Sequence, residues 1–313
     1  MKSRHKRVTN EKKYYVRATL VHERVRKAML SNLLSEELSD GKPFVFRAGT
    51  HDSNSTSVLC FTPKSGSSAW KALLVRALVL QGFSTMNDKR SAHGQKLPYK
   101  ISRVDTLLTD IYIPKLMFVR HPISRLLSAY LGKGRSGKIR LPGWNRSTGF
   151  HGFVYTVTNA AHNVLDPHWE LQTEQCGVGQ NFPYRFLRVE ELGHWYRGVV
   201  CQLNLQEAVQ GSLFSSALSP SCGAPSCCFV RTADCGCEVD CRGTRCNTSR
   251  VGTHAEATFG SFNGASNATL LEQYYDQSLA KRVNAWAHAD LTAFGYLPWL
   301  PGQELAMRLK PRR

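Results

Sequence analysis

The sequence predicts an α/β fold in which a parallel sheet is flanked by crossover helices. Short apolar segments at residues 58–61 and 116–119, and a third near 184–190, are typical of buried strands. Strand and helix patterns alternate over residues 58–80 and 116–132, as they do in βαβ units. Ligands of such sheets bind at the carboxyl ends of the strands, so the segments that follow the strands are candidate binding sites.

The segment Pro63-Lys64-Ser65-Gly66-Ser67-Ser68 lies where the first strand turns into a helix. A glycine and small hydroxyl residues leave backbone N–H groups accessible at the helix start, and Lys64 adds a mobile cation. This combination favours a phosphate, because N–H donors and the positive end of the helix dipole both attract an anion. The Walker A pattern is absent, since the lysine precedes the glycine. An ordinary strand–helix turn is the alternative interpretation.

A second strand–helix junction begins at Arg120, after the apolar segment 116–119. Pro122 suits the first turn of a helix, which would place Ser128 two turns further on. Together, the two junctions could grip the two ends of a doubly phosphorylated nucleotide. A solvated basic turn is the alternative.

The two junctions, FTPKSGSSAWKALL and MFVRHPISRLLSAYLGK, resemble the nucleotide motifs of Golgi carbohydrate sulfotransferases (sulfotransferase family 2). The resemblance is strongest to the branch of chondroitin 4-O- and HNK-1 sulfotransferases. Three further blocks follow in family order: Asp166-Pro167-His168-Trp169 with Cys176, residues 184–192, and residues 290–296, which end in Phe-Gly-Tyr. The resemblance spans residues 57–299 and implies a P-loop-like sulfotransferase fold.

The resemblance also implies an enzyme whose donor substrate is 3′-phosphoadenosine 5′-phosphosulfate and whose acceptor is a sugar hydroxyl of a glycan. The donor-binding residues that it implies are Lys64, Ser65, Gly66, Ser67 and Ser68 for the 5′-phosphosulfate, and Arg120 and Ser128 for the 3′-phosphate. Charge grows on the oxygen between phosphorus and sulfur, so the Lys64 ammonium would stabilise the transition state. No metal is required if Lys64 and the helix amides carry that charge. In-line positioning would supply most of the acceleration.

A base must accept the proton of the acceptor hydroxyl, and histidine is the usual choice at neutral pH. His93 lies between the two junctions, where the more distant heparan sulfate 2-O-sulfotransferases carry their catalytic histidine, and it is the predicted base. His168 is the alternative, and it could instead orient the acceptor beside Trp169. A solvated loop histidine is the third interpretation.

The charge balance favours a polyanionic partner. Lys and Arg number 41 against 23 Asp and Glu, for a net charge of +18. The sequence has no helix-turn-helix, RNA-recognition or C2H2 pattern, and its basic residues are not interleaved with aromatic ones. The predicted partner is therefore an anionic or neutral glycan acceptor rather than a nucleic acid.

The predicted organisation is a basic amphipathic arm (1–45), a sulfotransferase domain (46–299) with a Cys-rich insert at about 215–255, and a basic tail (300–313). The arm lies on an anionic surface or, as we prefer, packs its apolar stripe on the core. No apolar run is long enough to cross a bilayer, whereas the family typically has one amino-terminal anchor, so membrane association stays open. Residues 133–165 are expected to form a loop over the acceptor site. A closing helix is expected over 268–296, with its inward side chains at Tyr274, Val283, Trp286, Leu291 and Phe294.

Cysteines and glycosylation sequons predict an oxidising compartment, and with the resemblance they place the protein in the Golgi lumen or secretory pathway. Of ten cysteines, seven lie between Cys222 and Cys246. Disulfides are preferred over zinc because no spacing there is Cys-x2-Cys. Seven cysteines cannot all pair with one another, so one of them needs a partner outside this cluster, with Cys201 or Cys176 as the candidates. Four Asn-x-Ser/Thr sequons agree with this compartment: Asn54, Asn145, Asn247 and Asn267.

Two other classes of function compete with the enzyme. A non-catalytic luminal or secreted glycan-binding protein would use the same basic cleft and a disulfide-rich module. The paired junctions argue against it, because a pure binder has no need to grip both ends of a nucleotide. A kinase or NTPase is weakened by the missing Walker lysine and the lack of a clear magnesium-binding carboxylate.

Overall fold

The computed structural model describes residues 35–48, 55–83, 94–98, 100–101, 104–138, 141–160, 166–180, 182–209 and 268–303. The sheet in this part runs in the order β1 (Phe44–Ala48), β2 (Ser55–Phe61), β3 (Lys115–Val119) and β4 (Arg185–Arg188). Strands β2, β3 and β4 are parallel, and β1 pairs antiparallel with β2. The predicted α/β class with a largely parallel sheet is confirmed, and β1 adds an antiparallel edge strand.

The described helices are α1 (Ser67–Leu80), α2 (Val104–Thr109), α3 (Pro122–Ala129), α4 (Gly149–Asn159), α5 (Leu192–Gln202), α6 (Gln206–Val209), α7 (Ala268–Tyr274), α8 (Gln277–Trp286) and α9 (His288–Phe294). A π-helical turn, Tyr130–Gly134, continues α3. Single 3-10 turns occupy Arg146–Thr148, Gln172–Glu174, Val178–Gln180 and Val189–Glu191. Among the helices described, none is both long and apolar enough to span a membrane.

The central strand β3 is apolar from Leu116 to Val119 because both of its faces are covered. On one face Phe118 packs against Trp70 of α1, with ring centroids 5.0 Å apart. On the other face Met117 belongs to a cluster that contains Phe294 of α9. Burial on both faces explains why the strand is a continuous apolar run rather than an alternating one.

Each predicted junction is a strand-to-helix crossing. Helix α1 begins after Gly66, which adopts a φ of 80° that glycine tolerates without strain. Helix α3 begins with Pro122 in its first turn, as predicted. The ring Nδ1 of His121 accepts the N–H of Ile123 (3.3 Å) and caps this helix. Local signals in the sequence therefore set both helix starts.

The closing segment was predicted as one helix, and that prediction is wrong, because residues 268–294 form the three helices α7, α8 and α9. Asp276 makes the first break: its carboxylate accepts the N–H of Leu279 (2.7 Å) and starts α8. Val283, Leu291 and Phe294 are buried, as expected from the apolar pattern. Tyr274 and Trp286 are only partly buried.

Residues 133–165 were expected to form a loop, and this expectation is also wrong. The segment contains helix α4, whose side chains Phe150, Phe153, Val154 and Val157 are buried. They pack with α3 and α8 in a second apolar cluster beside the sheet. The glycines and basic residues at the start of the segment masked this helical pattern.

A disulfide joins Cys60, near the end of β2, to Cys176, across 116 residues of chain. The prediction that Cys176 could pair with the Cys-rich cluster is therefore wrong. In the chain-entropy model, a crosslink over a loop of this length stabilises the fold by about 4–5 kcal/mol. The bond also anchors residues 166–176 beside the first junction.

Several predicted features lie outside the described residues, namely His93, the cysteines from Cys222 to Cys246, and most of the arm and of the tail. The described end of the predicted arm belongs to the core, where Leu38 and Phe44 are fully buried. The predicted division of the chain stays a prediction.

Candidate functional site

Both predicted junctions lie at the same edge of the sheet. We call residues 62–68 the first junction and residues 120–128 the second junction. They follow the parallel neighbours β2 and β3, in which Phe61 pairs with Phe118. The Arg120 guanidinium Nη1 donates to the Lys64 carbonyl oxygen at 3.1 Å. The structure therefore brings the two junctions into direct contact.

The first junction is a tight turn that leads into the start of α1. Lys64 adopts a left-handed backbone conformation, with a φ of 70°. This costs a non-glycine residue about 1 kcal/mol, and such strain often marks functional positions. Ser65 is buried and donates its hydroxyl to the Thr62 carbonyl, so it closes the turn. Ser67 and Ser68 open α1, whose first N–H groups are directed along the helix axis toward the junction.

The Lys64 ammonium lies in a cationic environment. Burial, together with the neighbouring charges of Arg120 and Lys133, lowers the pKa of Lys64 to about 8. Asp40 opposes this shift, but it also forms an ion pair with the buried Lys71 at 2.6 Å. A lysine held among cations is ready for an anionic ligand, which would relieve the repulsion.

Gly132, in the π-helical turn, gives the Lys64 ammonium its space. A Cβ on Gly132 would lie 2.6 Å from Lys64 Nζ, closer than the two atoms can approach without a shift. The backbone of the turn is therefore one wall of the lysine site. π-Helical turns occur often at functional sites.

We expect Gly132→Ala to lower the rate of the protein's reaction while leaving the fold stable. The new methyl group displaces the Lys64 ammonium, and a misplacement of about 1 Å can cost roughly 10- to 100-fold in rate. Alanine is at least as good a helix former as glycine, so the melting temperature should not fall. Gly179→Ala is the matched control, because a Cβ there meets nothing within 4 Å. An equal rate in both variants would contradict the role assigned to Gly132.

The second junction is held by hydrogen bonds at the end of β3. Arg120 Nε donates to Ser124 Oγ at 3.1 Å, and burial lowers the pKa of Arg120, an effect that Glu190 opposes. Glu190 accepts the N–H of His121 (2.7 Å) and the hydroxyl of Tyr296 (2.9 Å). The last two sequence blocks, around Glu190 and Tyr296, therefore support the second junction.

Ser128 lies in the last turn of α3 and is 1% exposed. The sequence predicted Ser128 about two helical turns after Arg120, and helix α3 has it there. The described structure thus places all seven predicted donor-binding residues on the two adjoining junctions.

Arg125 connects the site in a way that the sequence analysis missed. This buried guanidinium donates to the carbonyl oxygens of Pro63 (3.0 Å), Glu170 (2.7 Å) and Pro167 (2.7 Å). Burial lowers its pKa to about 10, so it remains charged at neutral pH. The sequence signal that could have revealed this role is a charged residue within the apolar run of α3.

Gln172 and Asp290 form a second connection that the sequence analysis missed. The Gln172 side chain accepts from Thr62 Oγ1 and from the Arg120 N–H, both at 3.0 Å, and donates to the Arg120 carbonyl at 2.8 Å. Asp290 of α9 accepts the N–H groups of Gln172 (2.9 Å) and Thr173 (2.8 Å). Both side chains are buried, and together they tie the two junctions to α9.

Of the two predicted bases, only His168 lies within the described residues. Its ring Nδ1 is 2.6 Å from Asp166 Oδ1. Within the part of the chain that the structure describes, no group of three or more His, Cys, Asp or Glu residues could hold a metal ion.

Comparison with known families decides the class of the protein. The model described as "Sulfotransferase family" matches residues 51–210, just over half of the chain. The chain belongs to this sulfotransferase family. The comparisons with curated proteins and with solved structures give no match.

The matched part of this sulfotransferase contains both junctions, the Asp166–Trp169 block and Cys176. Helices α7, α8 and α9 lie beyond it, yet Asp290 and Tyr296 reach back into the site through Gln172 and Glu190. The site of the sulfotransferase is therefore completed by residues distant in sequence.

Proposed function

We propose that this sulfotransferase moves the sulfuryl group of 3′-phosphoadenosine 5′-phosphosulfate to a sugar hydroxyl of a glycan, as a member of the chondroitin 4-O- and HNK-1 branch. One observation carries the proposal: the 3.1 Å contact between the Arg120 guanidinium and the Lys64 carbonyl. It joins two anion-binding junctions in one site, which is what a nucleotide phosphorylated at both ends requires.

The residues of the first junction hold the 5′-phosphosulfate in this proposal. The amides at the start of α1 and the Lys64 ammonium face the charge that develops on the bridging oxygen as the sulfuryl group leaves. Lys64 is cationic below pH 8 and lies among other cations, so it gains most from a ligand that becomes more negative during the reaction. Arg120 and Ser128 hold the 3′-phosphate and so fix the position of the nucleotide in the site.

A basic surface beside the π-helical turn supports a glycan as the acceptor. Lys133 is half-buried near Lys64, and Arg135 and Lys138 follow it on the exposed side of the turn. The Arg146 side chain lies against Gly137 and adds a further cation. Such a surface favours carboxylate or sulfate groups of a polysaccharide. The Cys60–Cys176 disulfide supports synthesis in the Golgi lumen or secretory pathway.

Binding of adenosine 3′,5′-bisphosphate should weaken as the pH rises above the pKa of Lys64, about 8. The neutral amine predominates there, so a proton must be taken up from solution to restore the Lys64 ammonium when the bisphosphate binds. Affinity should therefore be flat near neutral pH and fall by up to about tenfold per pH unit above the pKa. Titration calorimetry across this range measures the effect, and Lys64→Ala should remove it. A flat profile in the wild-type protein would contradict the role of Lys64.

Transfer of radiolabelled sulfuryl from the donor to a panel of desulfated glycans tests the proposed function. The expected product is a labelled glycan, with desulfated chondroitin or dermatan as the first acceptor to try. Nucleotide binding without transfer to any glycan would contradict the proposed acceptor class. Glycan binding without nucleotide binding would favour the non-catalytic glycan-binding protein.

A further inference from the structure

His168 and Asp166 form a hydrogen-bonded pair at the start of the segment that follows α4. The ring Nδ1 of His168 lies 2.6 Å from Asp166 Oδ1, and the backbone N–H of His168 donates to the same oxygen at 2.9 Å. The side chains are 19% and 30% exposed, respectively. The backbone bond holds the carboxylate in place, and the bond from Nδ1 orients the ring toward it.

The carboxylate also decides which ring nitrogen carries the proton. Burial by itself raises the pKa of Asp166, but the hydrogen bonds from His168 outweigh it and hold the pKa below its usual value. An ionised carboxylate only accepts hydrogen bonds, so Nδ1 must donate, and Nε2 of the neutral ring keeps a lone pair. Nε2 makes no hydrogen bond to any of the described residues. The ring is thus in the tautomer that a proton acceptor needs.

Arg125 places this pair beside the first junction. One guanidinium donates both to the carbonyl of Pro63, which precedes Lys64, and to the carbonyl of Pro167, which precedes His168. Gln175 Nε2 also donates to the Pro167 carbonyl at 2.8 Å, and Trp169 is buried beneath the turn. Arg125 therefore connects the residue before His168 to the residue before Lys64.

We propose that His168 is the catalytic base of the sulfuryl transfer and that Asp166 is its positioning residue, an inference that rests on the proposed function. The acceptor hydroxyl oxygen forms a bond to sulfur while the bond from sulfur to the phosphate oxygen breaks. The electron pair of the broken bond stays on that oxygen, which faces Lys64. The hydroxyl proton passes to Nε2 of His168, and the resulting imidazolium is stabilised by the Asp166 carboxylate.

Other charges act on the pair from the elements packed around it. Lys133 of the π-helical turn lowers the pKa of Asp166, and Arg125 of α3 and Glu174 act on the neighbouring Glu170, whose pKa burial raises. Neither of the cations hydrogen-bonds to the imidazole, and Asp166 is its direct partner. Asp166 is therefore the residue whose replacement tests how the imidazole is held.

Two variants test the inference in the full-length protein. His168→Ala should lower kcat by roughly 10²- to 10⁴-fold, leave adenosine 3′,5′-bisphosphate affinity unchanged and regain part of its rate with added imidazole. Asp166→Asn keeps the cap of the turn, because asparagine caps as well as aspartate. It should still lower kcat without raising KM for the donor, because the asparagine NH2 group can donate to Nδ1 and favour the tautomer in which Nε2 carries the proton. A merely structural role would leave kcat of Asp166→Asn unchanged, because the cap is kept.

The pair His151 and Asp276 provides the matched control, because its Nε2–Oδ2 distance is 3.5 Å and both side chains are 55% exposed. His151→Ala should leave kcat and the pH–rate profile unchanged. Wild-type kcat in His168→Ala, or loss of the acidic limb in His93→Ala instead, would overturn the inference while leaving the sulfotransferase function intact. Absence of transfer by the wild-type protein would overturn the proposed function and this inference with it.

Discussion

Lys64→Ala should lower kcat for sulfuryl transfer by roughly 10²- to 10³-fold, the range found when a group that stabilises developing charge is removed. The ammonium lies in the first junction against Gly132, and burial and neighbouring cations lower its pKa to about 8. The negative charge on the leaving phosphate grows in the transition state, so the loss should appear mainly in kcat. Nucleotide affinity should fall less than the rate.

The same variant should be at least as stable as the wild-type protein. The Lys64 ammonium is desolvated and repelled by Arg120 and Lys133, so its removal relieves unfavourable interactions. Lys281→Ala, on the exposed side of α8, is the control for loss of a lysine and should change neither property. Transfer by Lys64→Ala at a rate near that of the control would contradict the mechanism. Parallel rate assays and thermal melts measure both effects.

Arg125→Ala should destabilise the protein by about 2–4 kcal/mol, since it removes a charged donor from three carbonyl groups. Pro63 is buried and its carbonyl would lose its Arg125 donor, whereas Pro167 is exposed and Glu170 is half-buried. The same change should lower kcat, because the turns that carry Lys64 and His168 lose their common partner. The stability of Arg125→Lys should lie between that of the wild-type protein and that of Arg125→Ala, because an ammonium cannot reproduce the planar fork of the guanidinium.

Urea unfolding gives the stability change, and Arg282→Ala is the control. Arg282 also makes two side-chain hydrogen bonds, to Thr158 Oγ1 and Asn159 Oδ1, both at 2.6 Å, and lies over the Tyr155 ring. These contacts are on the surface, so the control should cost no more than about 1 kcal/mol. If Arg125→Ala cost no more than Arg282→Ala, Arg125 would not be the structural link between the two turns.

Local patterns in the sequence were sufficient for the parts of the site that lie on one strand–helix crossing. The apolar strands place Lys64 and Arg120 at carboxyl ends, and Pro122 and Gly66 set the starts of the helices that follow. A parallel sheet then brings such ends together without further information. Apolar periodicity is therefore enough to predict the contact between the junctions.

The rest of the site depends on partners distant in sequence, which local periodicity does not encode. The bond from Gln172 to Asp290 spans 118 residues, and the disulfide between Cys60 and Cys176 spans 116. The break in the closing helix depends on one capping carboxylate, Asp276, which is also common on helix surfaces. Such features arise only when the chain is packed.

The central claim is that the two junctions form one nucleotide site, and the most direct test compares two ligands that differ by one phosphate. Adenosine 3′,5′-bisphosphate should stabilise the protein by about 2.7 kcal/mol at a concentration 100 times its Kd. Ser128→Ala should weaken the binding of this ligand but not that of adenosine 5′-phosphate, because Ser128 belongs to the second junction. Equal effects of Ser128→Ala on both ligands, or no stabilisation by the bisphosphate at about millimolar concentration, would contradict the claim.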